Sequence, residues 1–180
     1  MSERRFEPLG AELVYHGRLF QVRVERFRYP DGEEVTRDVV RHGGAVAVVA
    51  HDDSHLWLVR QPRESVGDPD LLELPAGRLD VPGEEPLHTA QRELSEEIGK
   101  AAGSWEPLVA YYSSVGFTDE LVHLFLATQL SDDTSAESEE NERIEVVRWP
   151  LAELDGALEA TRDAKTLIGL LMLARRRAAR

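Results

Sequence analysis

Short segments with the residue pattern of β-strands outnumber helical segments along this 180-residue chain. The predicted strands are Leu19–Tyr29, Val35–Val40, Gly44–Ala50, Leu56–Gln61, Leu71–Leu74, Leu108–Tyr112, Leu121–Thr128 and Ile144–Trp149. Two long helical segments, Pro86–Ile98 and Ala164–Arg177, lie far from one another in the sequence. This order predicts an α+β layered fold rather than a doubly wound sheet.

The first two predicted strands look like a small sheet of their own, joined by a turn at Pro30-Asp31-Gly32. We therefore expect an N-terminal β-sheet appendage at residues 1–43 and a larger domain at residues 44–180. A two-stranded hairpin is marginal in water, and its open edges favour pairing with another surface. This favours a homodimer formed through the N-terminal strands, and packing on the chain's own core is the alternative.

The composition argues against several classes of function. The absence of cysteine removes thiol nucleophiles, disulfides and thiolate metal sites. A net charge of -13 disfavours binding to nucleic acid or to an anionic membrane, and it would repel a phosphate substrate unless cations were bound. Since the sequence shows neither a signal-peptide pattern nor a long apolar segment, we expect a cytoplasmic protein.

The second half of the first predicted helix carries several carboxylates. Glu93 and Glu97 are four residues apart, so they lie one above the other on a helix, and Glu96 lies beside them. Arg92 precedes Glu96 by four residues and can pair with it. The Leu-Pro-Ala-Gly run at 74–77 ends a strand and offers backbone carbonyls just before the helix. These oxygens suit a hard cation, and a solvated acidic face is the alternative that spacing alone leaves open.

The segment from Gly77 to Gly99 resembles the Nudix box. That motif is a glycine, five residues, a glutamate, seven residues, and then Arg-Glu-apolar-x-Glu-Glu-x-Gly. The matching residues are Gly77, Glu84, Arg92, Glu93, Leu94, Glu96, Glu97 and Gly99. Six residues rather than five separate Gly77 from Glu84, and the extra one lies in a loop that tolerates insertion. The resemblance implies the Nudix α/β/α sandwich with a mixed sheet.

The resemblance also assigns roles within the box. The implied ligands of two or three Mg²⁺ ions, or of Mn²⁺, are the Ala76 carbonyl, Glu93, Glu96 and Glu97, of which Glu96 and Glu97 also count as catalytic. Arg92 would hold a glutamate in place, and Glu84 would act as a secondary ligand or a loop anchor. Gly77 and Gly99 would be structural.

The flanking sequence is similar to that of bacterial ADP-ribose pyrophosphatases. Gln61-Pro62-Arg63 precedes the box, and Arg63 would contact a substrate phosphate. In the run 114–120, Phe117 and Glu120 would contact the substrate, but Val115 stands where that subfamily has a proline.

The implied reaction is hydrolysis of ADP-ribose to AMP and ribose 5-phosphate. Because of Val115, GDP-mannose, another sugar nucleotide, a dinucleotide and FAD stay open as substrates. A non-catalytic domain that senses nucleotides is a further alternative, although such domains typically lose the box carboxylates.

An acidic segment precedes the strand Ile144–Trp149, where relatives place a mobile catalytic glutamate. By that resemblance Glu140 would be the general base and Glu142 an additional metal ligand, with Glu139 as the competing base. The ions would neutralise the diphosphate and lower the pKa of a water molecule, whose proton Glu140 would accept. The resemblance further implies that each active site is completed by the partner subunit's N-terminal sheet.

Overall fold

The structure, a computed structural model, describes residues 5–133 and 143–179. The chain divides into two compact units. The N-terminal unit comprises Met1–Gly44 and Tyr112–Leu121, and the larger unit comprises Ala45–Tyr111 and Val122–Arg180. The expected domain boundary after residue 43 remains a prediction, to which the contacts add the segment Tyr112–Leu121 as part of the N-terminal unit.

The N-terminal unit contains an antiparallel sheet with the strand order β1-β2-β3. Its strands are β1 (Glu7–His16), β2 (Phe20–Arg28) and β3 (Glu34–His42). The predicted small antiparallel sheet is confirmed, but the sequence pattern predicted only β2 and β3. Strand β1 was missed because Pro8 and Gly10 are rare in strands and because the register shifts between Pro8 and Gly10 and again between Leu13 and Tyr15.

The larger unit is built on a mixed seven-stranded sheet. Its strands are β4 (Ala45–His51), β5 (His55–Arg63), β6 (Asp68–Glu73), β7 (Ala76–Arg78), β8 (Lys100–Tyr112), β9 (Leu121–Asp132) and β10 (Glu145–Pro150). The main order is β10-β5-β4-β9-β8, while β6 pairs with β5 and β7 pairs with β4. Strands β4 and β9 are parallel, whereas β5 is antiparallel to β4, β6 and β10.

Helices cover both faces of this sheet. They are α1 (Pro86–Ile98), α2 (Leu154–Ala160) and α3 (Ala164–Ala178). On β4, Val46 and Val48 share one buried cluster with Leu94 of α1. The alternate residues Ala47 and Val49 belong to a second buried cluster, which includes Leu154 and Leu170 of α2 and α3. This alternation buries both faces of the strand, so the predicted helix–sheet–helix sandwich is confirmed.

The ends of helix α1 follow from its sequence. Pro86 occupies the first turn, where a missing N–H costs nothing, and Gly99 ends the helix in the left-handed conformation at φ 63°. Asp163 caps the start of helix α3, and its side chain accepts a hydrogen bond from the Thr166 N–H at 3.0 Å. No helix in the part of the chain that the structure describes has the length and apolar character needed to cross a bilayer.

Candidate active site

Helix α1 places its carboxylates against strand β7. The Ala76 N–H donates a hydrogen bond to Glu97 Oε2 at 2.9 Å. A Cβ atom on Gly77 would lie 1.9 Å from Glu93 Cδ, so only glycine lets Glu93 occupy this position beside the strand. The structure therefore places Ala76 and Gly77, which precede the loop, next to Glu93 and Glu97, which follow it.

Arg92 is the cation at the centre of this acidic group. Its Nη1 atom donates to Glu96 Oε2 at 2.7 Å and lies 2.9 Å from Glu93 Oε1, which confirms the predicted pairing with Glu96. Asp80 and Glu84 lie farther from its Nη2 atom, at 3.6 and 3.9 Å. Burial alone would lower the pKa of Arg92, but the charge of Glu93, the hydrogen bond and charge of Glu96, and the charge of Glu84 outweigh it and raise the pKa.

Glu84 lies at the end of the loop that precedes helix α1. Its Oε2 atom accepts a hydrogen bond from Thr89 Oγ1 at 2.8 Å, and its N–H donates to the Val81 carbonyl at 3.1 Å. These contacts hold the loop on the first turn of the helix. They fit the role of a loop anchor, while a role as a secondary metal ligand stays a prediction.

Within residues 5–133 and 143–179, no group of three or more acidic, histidine or cysteine side chains surrounds a common metal position. The local contacts give a physical reason, because Glu93 and Glu96 face Arg92 and Glu97 faces the Ala76 N–H. The donor set itself is chemically suited to Mg²⁺ or Mn²⁺, which prefer carboxylate and carbonyl oxygens. The proposed coordination by these residues stays a prediction.

Arg63 lies at the end of β5 and pairs with a buried glutamate. Its Nε and Nη2 atoms donate to the two carboxylate oxygens of Glu73, at 2.5 and 2.8 Å. Lys165 at the start of α3 donates to the same carboxylate and lies 3.0 Å from Asp163 Oδ2. The sequence assigned a role to Arg63 but none to Glu73 or Lys165, because only the fold brings residues 73 and 165 together.

The charges around Glu73 determine its ionisation. Burial by itself would raise the pKa of the Glu73 carboxyl, but hydrogen bonds and positive charge from Arg63 and Lys165 outweigh it and lower the pKa. Burial would in turn lower the pKa of Arg63, yet its hydrogen bonds to Glu73 are the larger effect and raise it. The negative charges of Asp163 and then Glu97 add to the same rise in the pKa of Arg63.

Phe117 and Glu120 belong to the N-terminal unit. The Val40 N–H donates to the Phe117 carbonyl at 2.7 Å, and the Ser113 N–H donates to the Glu120 carbonyl at 3.0 Å. In the same segment, the Asp119 carboxylate accepts hydrogen bonds from Arg41 Nη1 at 3.0 Å and from the His42 N–H at 2.8 Å. These bonds fix the segment on β3, and the roles of Phe117 and Glu120 in substrate binding stay predictions.

The same unit contains a cavity of about 280 Å³. Its walls include the side chains of Phe27, Tyr29, Val35, Arg41 and Phe117. These walls are mainly aromatic and aliphatic, and Arg41 is already paired with Glu25 and Asp119.

The predicted residues of the acidic segment, Glu139, Glu140 and Glu142, lie outside the described residues. Their roles as base and as additional ligand stay predictions. The nearest described residue before them is Asp133, whose Oδ2 atom accepts a hydrogen bond from Ser95 of α1 at 2.8 Å.

Comparison with known proteins adds independent information. The NUDIX domain family matches residues 40–169. The chain is 44% identical over 155 residues to the ADP-ribose pyrophosphatase of Mycobacterium tuberculosis, which covers 85% of this chain and 74% of the relative. It is 37% identical over 177 residues to the ADP-ribose pyrophosphatase of Bacillus subtilis, covering 96% and 95%. A crystal structure of an ADP compounds hydrolase superposes with a TM-score of 0.84 at 26% identity, over 99% of this chain and 97% of that one.

Proposed function

The chain belongs to the NUDIX domain family, and we propose that it hydrolyses the diphosphate of ADP-ribose to AMP and ribose 5-phosphate. The relatives named above support this substrate, since two of them are ADP-ribose pyrophosphatases. The protein acts on a small nucleotide in this proposal, without nucleic acid or membrane partners. A cytoplasmic location is part of the same proposal.

The observation that carries the proposal is the close approach of helix α1 to strand β7. Gly77 admits Glu93 beside the strand, and the Ala76 N–H fixes Glu97. Two carboxylates are thus held next to a strand end, with Glu96 paired to Arg92 beside them. Like charges on one helix face cost only about 0.2–0.5 kcal/mol per pair, so their presence alone decides nothing. That all three carboxylates are held by specific partners favours a function that uses their charge.

We assign Glu93, Glu96, Glu97 and the Ala76 carbonyl as the residues that would hold two or three divalent ions, Mg²⁺ or Mn²⁺. When bound, these ions would neutralise the diphosphate and make a water molecule more acidic. Arg92 keeps Glu93 and Glu96 oriented before any ion arrives, and Arg63 supplies positive charge for a phosphate. Glu140 is the proposed general base, and Glu142 the proposed additional ligand.

A second substrate class is favoured by one residue. Val115 stands where the ADP-ribose subfamily has proline, so another nucleoside diphosphate compound such as GDP-mannose or FAD is the alternative. The test is a screen of ADP-ribose, GDP-mannose, FAD and a dinucleotide with Mg²⁺, in which release of monophosphate is measured. Preferred turnover of ADP-ribose would support the proposal. Preferred turnover of another compound would replace the substrate but keep the reaction type, and no turnover would contradict both.

The close packing at Gly77 gives a first testable prediction. In Gly77→Ala the new methyl group must displace Glu93, so we expect turnover to fall by about 10², the loss that a 1 Å misplacement can cause. The fold should remain, because Glu93 is a side chain that can rotate away. Initial rates and melting temperature measure the two effects.

Gly156→Ala is the matched control, because a methyl group there would approach Trp149 no closer than 3.4 Å inside helix α2. It should keep normal turnover. A fully active Gly77→Ala protein would show that the position of Glu93 is unimportant.

We also propose that the protein is a homodimer assembled through its N-terminal sheet. Strand β1 is an edge strand, and Leu13 on it leaves 52% of its surface exposed. We expect Leu13→Lys to shift the protein towards monomer in sedimentation at micromolar concentration. Leu171→Lys, at a leucine of α3 that is 56% exposed, should leave the assembly unchanged. A wild-type monomer with full activity would contradict the proposal.

A further inference from the structure

The contact between Arg63 and Glu73 uses only one edge of the guanidinium. Nε and Nη2 both donate to the carboxylate, whereas Nη1 takes no part in this pair. Because the guanidinium is a planar fork, an arginine held by this edge directs Nη1 away from the carboxylate. Glu73 is 1% exposed and Arg63 is 40% exposed, so the pair has a buried acidic end and an accessible basic end.

Lys165 places a second cation on the same buried carboxylate, and it lies between Glu73 and Asp163. If Arg63 were the only counter-ion of Glu73, binding a second anion through Arg63 would leave the buried carboxylate poorly compensated. With Lys165 as an additional counter-ion, Glu73 remains compensated while Arg63 engages an anion. The charges of the four side chains sum to zero before that anion binds.

Attachment of helix α3 to strand β6 does not require Lys165. The Leu74 N–H donates to Thr166 Oγ1 at 2.8 Å, and Thr161 Oγ1 donates to the Leu72 carbonyl at 2.7 Å. Thr166 Oγ1 also donates to Asp163 at 2.6 Å. These bonds already join the start of the helix to the strand, so the lysine is left with an electrostatic role.

We propose that Glu73 and Lys165 are positioning residues for the substrate diphosphate, with Glu73 orienting Arg63 and Lys165 keeping Glu73 compensated while Arg63 binds a phosphate. The role rests on the proposed function, because it concerns the same diphosphate. A hydrogen bond from a charged group to the phosphate is made in the ground state and the transition state alike. Its loss therefore raises KM more than it lowers kcat.

The test is a double-mutant cycle with KM and kcat measured for whichever compound the wild type hydrolyses. Lys165→Gln should raise KM about tenfold with kcat changed less than threefold, and Lys165→Arg should restore KM. In an Arg63→Gln background, Lys165→Gln should change KM less than twofold, because its effect passes through Arg63. Lys100→Gln is the matched control, since Lys100 is 16% exposed and pairs with Asp132, while Lys165 is 17% exposed.

A second measurement separates this inference from the proposed reaction. Calorimetric titration with inorganic pyrophosphate and Mg²⁺ should show a Kd about tenfold higher in Lys165→Gln and in Arg63→Gln, but unchanged in Lys100→Gln. Equal effects of Lys165→Gln with and without Arg63 would overturn the inference, as would an unchanged KM and Kd. Wild-type binding of pyrophosphate without turnover of any compound would instead contradict the proposed function.

Discussion

Glu97→Gln is expected to slow hydrolysis by a factor on the order of 10²–10⁵ while the protein stays folded. The amide keeps the shape of the side chain, and its oxygen can still accept the hydrogen bond from the Ala76 N–H. The substitution removes the negative charge and replaces one carboxylate oxygen with an NH2 group, which does not bind a hard divalent ion. Steady-state rates at saturating Mg²⁺, together with circular dichroism and melting temperature, measure both parts of the expectation.

Glu85→Gln provides the control at the start of the same helix. Glu85 precedes α1 and its side chain makes no capping hydrogen bond, so the loss of its charge should leave the rate within about twofold. If a folded Glu97→Gln protein turned over substrate at a near-normal rate, the assignment of Glu97 as a metal ligand would be wrong.

Glu140→Gln is expected to lower kcat by a factor on the order of 10²–10⁴ with KM little changed. A general base acts in the transition state, so its removal leaves substrate binding intact. The measurement is a comparison of kcat and KM with ADP-ribose for Glu140→Gln and the wild type.

Three other glutamates of the acidic segment test the choice of Glu140. Glu137→Gln should be active, as a control that removes one charge from the same segment. If Glu140→Gln were fully active while Glu139→Gln or Glu142→Gln was inactive, the base would be assigned to the wrong residue.

Helix α1 could be predicted to the residue because its signals are local. Pro86 and Gly99 mark the two ends, and the apolar residues between them recur with the helical period. Strand β8 was predicted only from Leu108, although it begins at Lys100. Gly103 and Pro107 interrupt the strand pattern there, so pairing within the sheet overrides the local preference. Helix α2 was not predicted, because its seven residues are too few to show a clear helical period.

The candidate site likewise has contacts that local spacing predicts and contacts that only the tertiary structure reveals. The pairing of Arg92 with Glu96 follows from spacing along one helix, and it was predicted. Packing of Glu93 against Gly77 depends on how closely the helix approaches β7, which spacing does not give. The contact of Lys165 with Glu73 joins residues 92 positions apart, so only the tertiary structure reveals it.

The parallel pairing of β4 with β9 has a consequence for biosynthesis. Residues Ala45–Ala50 align with Val122–Ala127, and β5 to β8 with helix α1 lie between them in the sequence. A nascent chain can therefore make the whole carboxylate helix and still lack the strand that lies beside β4. Contacts of such long range form slowly, and unpaired edges are exposed meanwhile. Synthesis of the carboxylate helix therefore precedes synthesis of β9, the strand that completes the centre of the sheet beside β4.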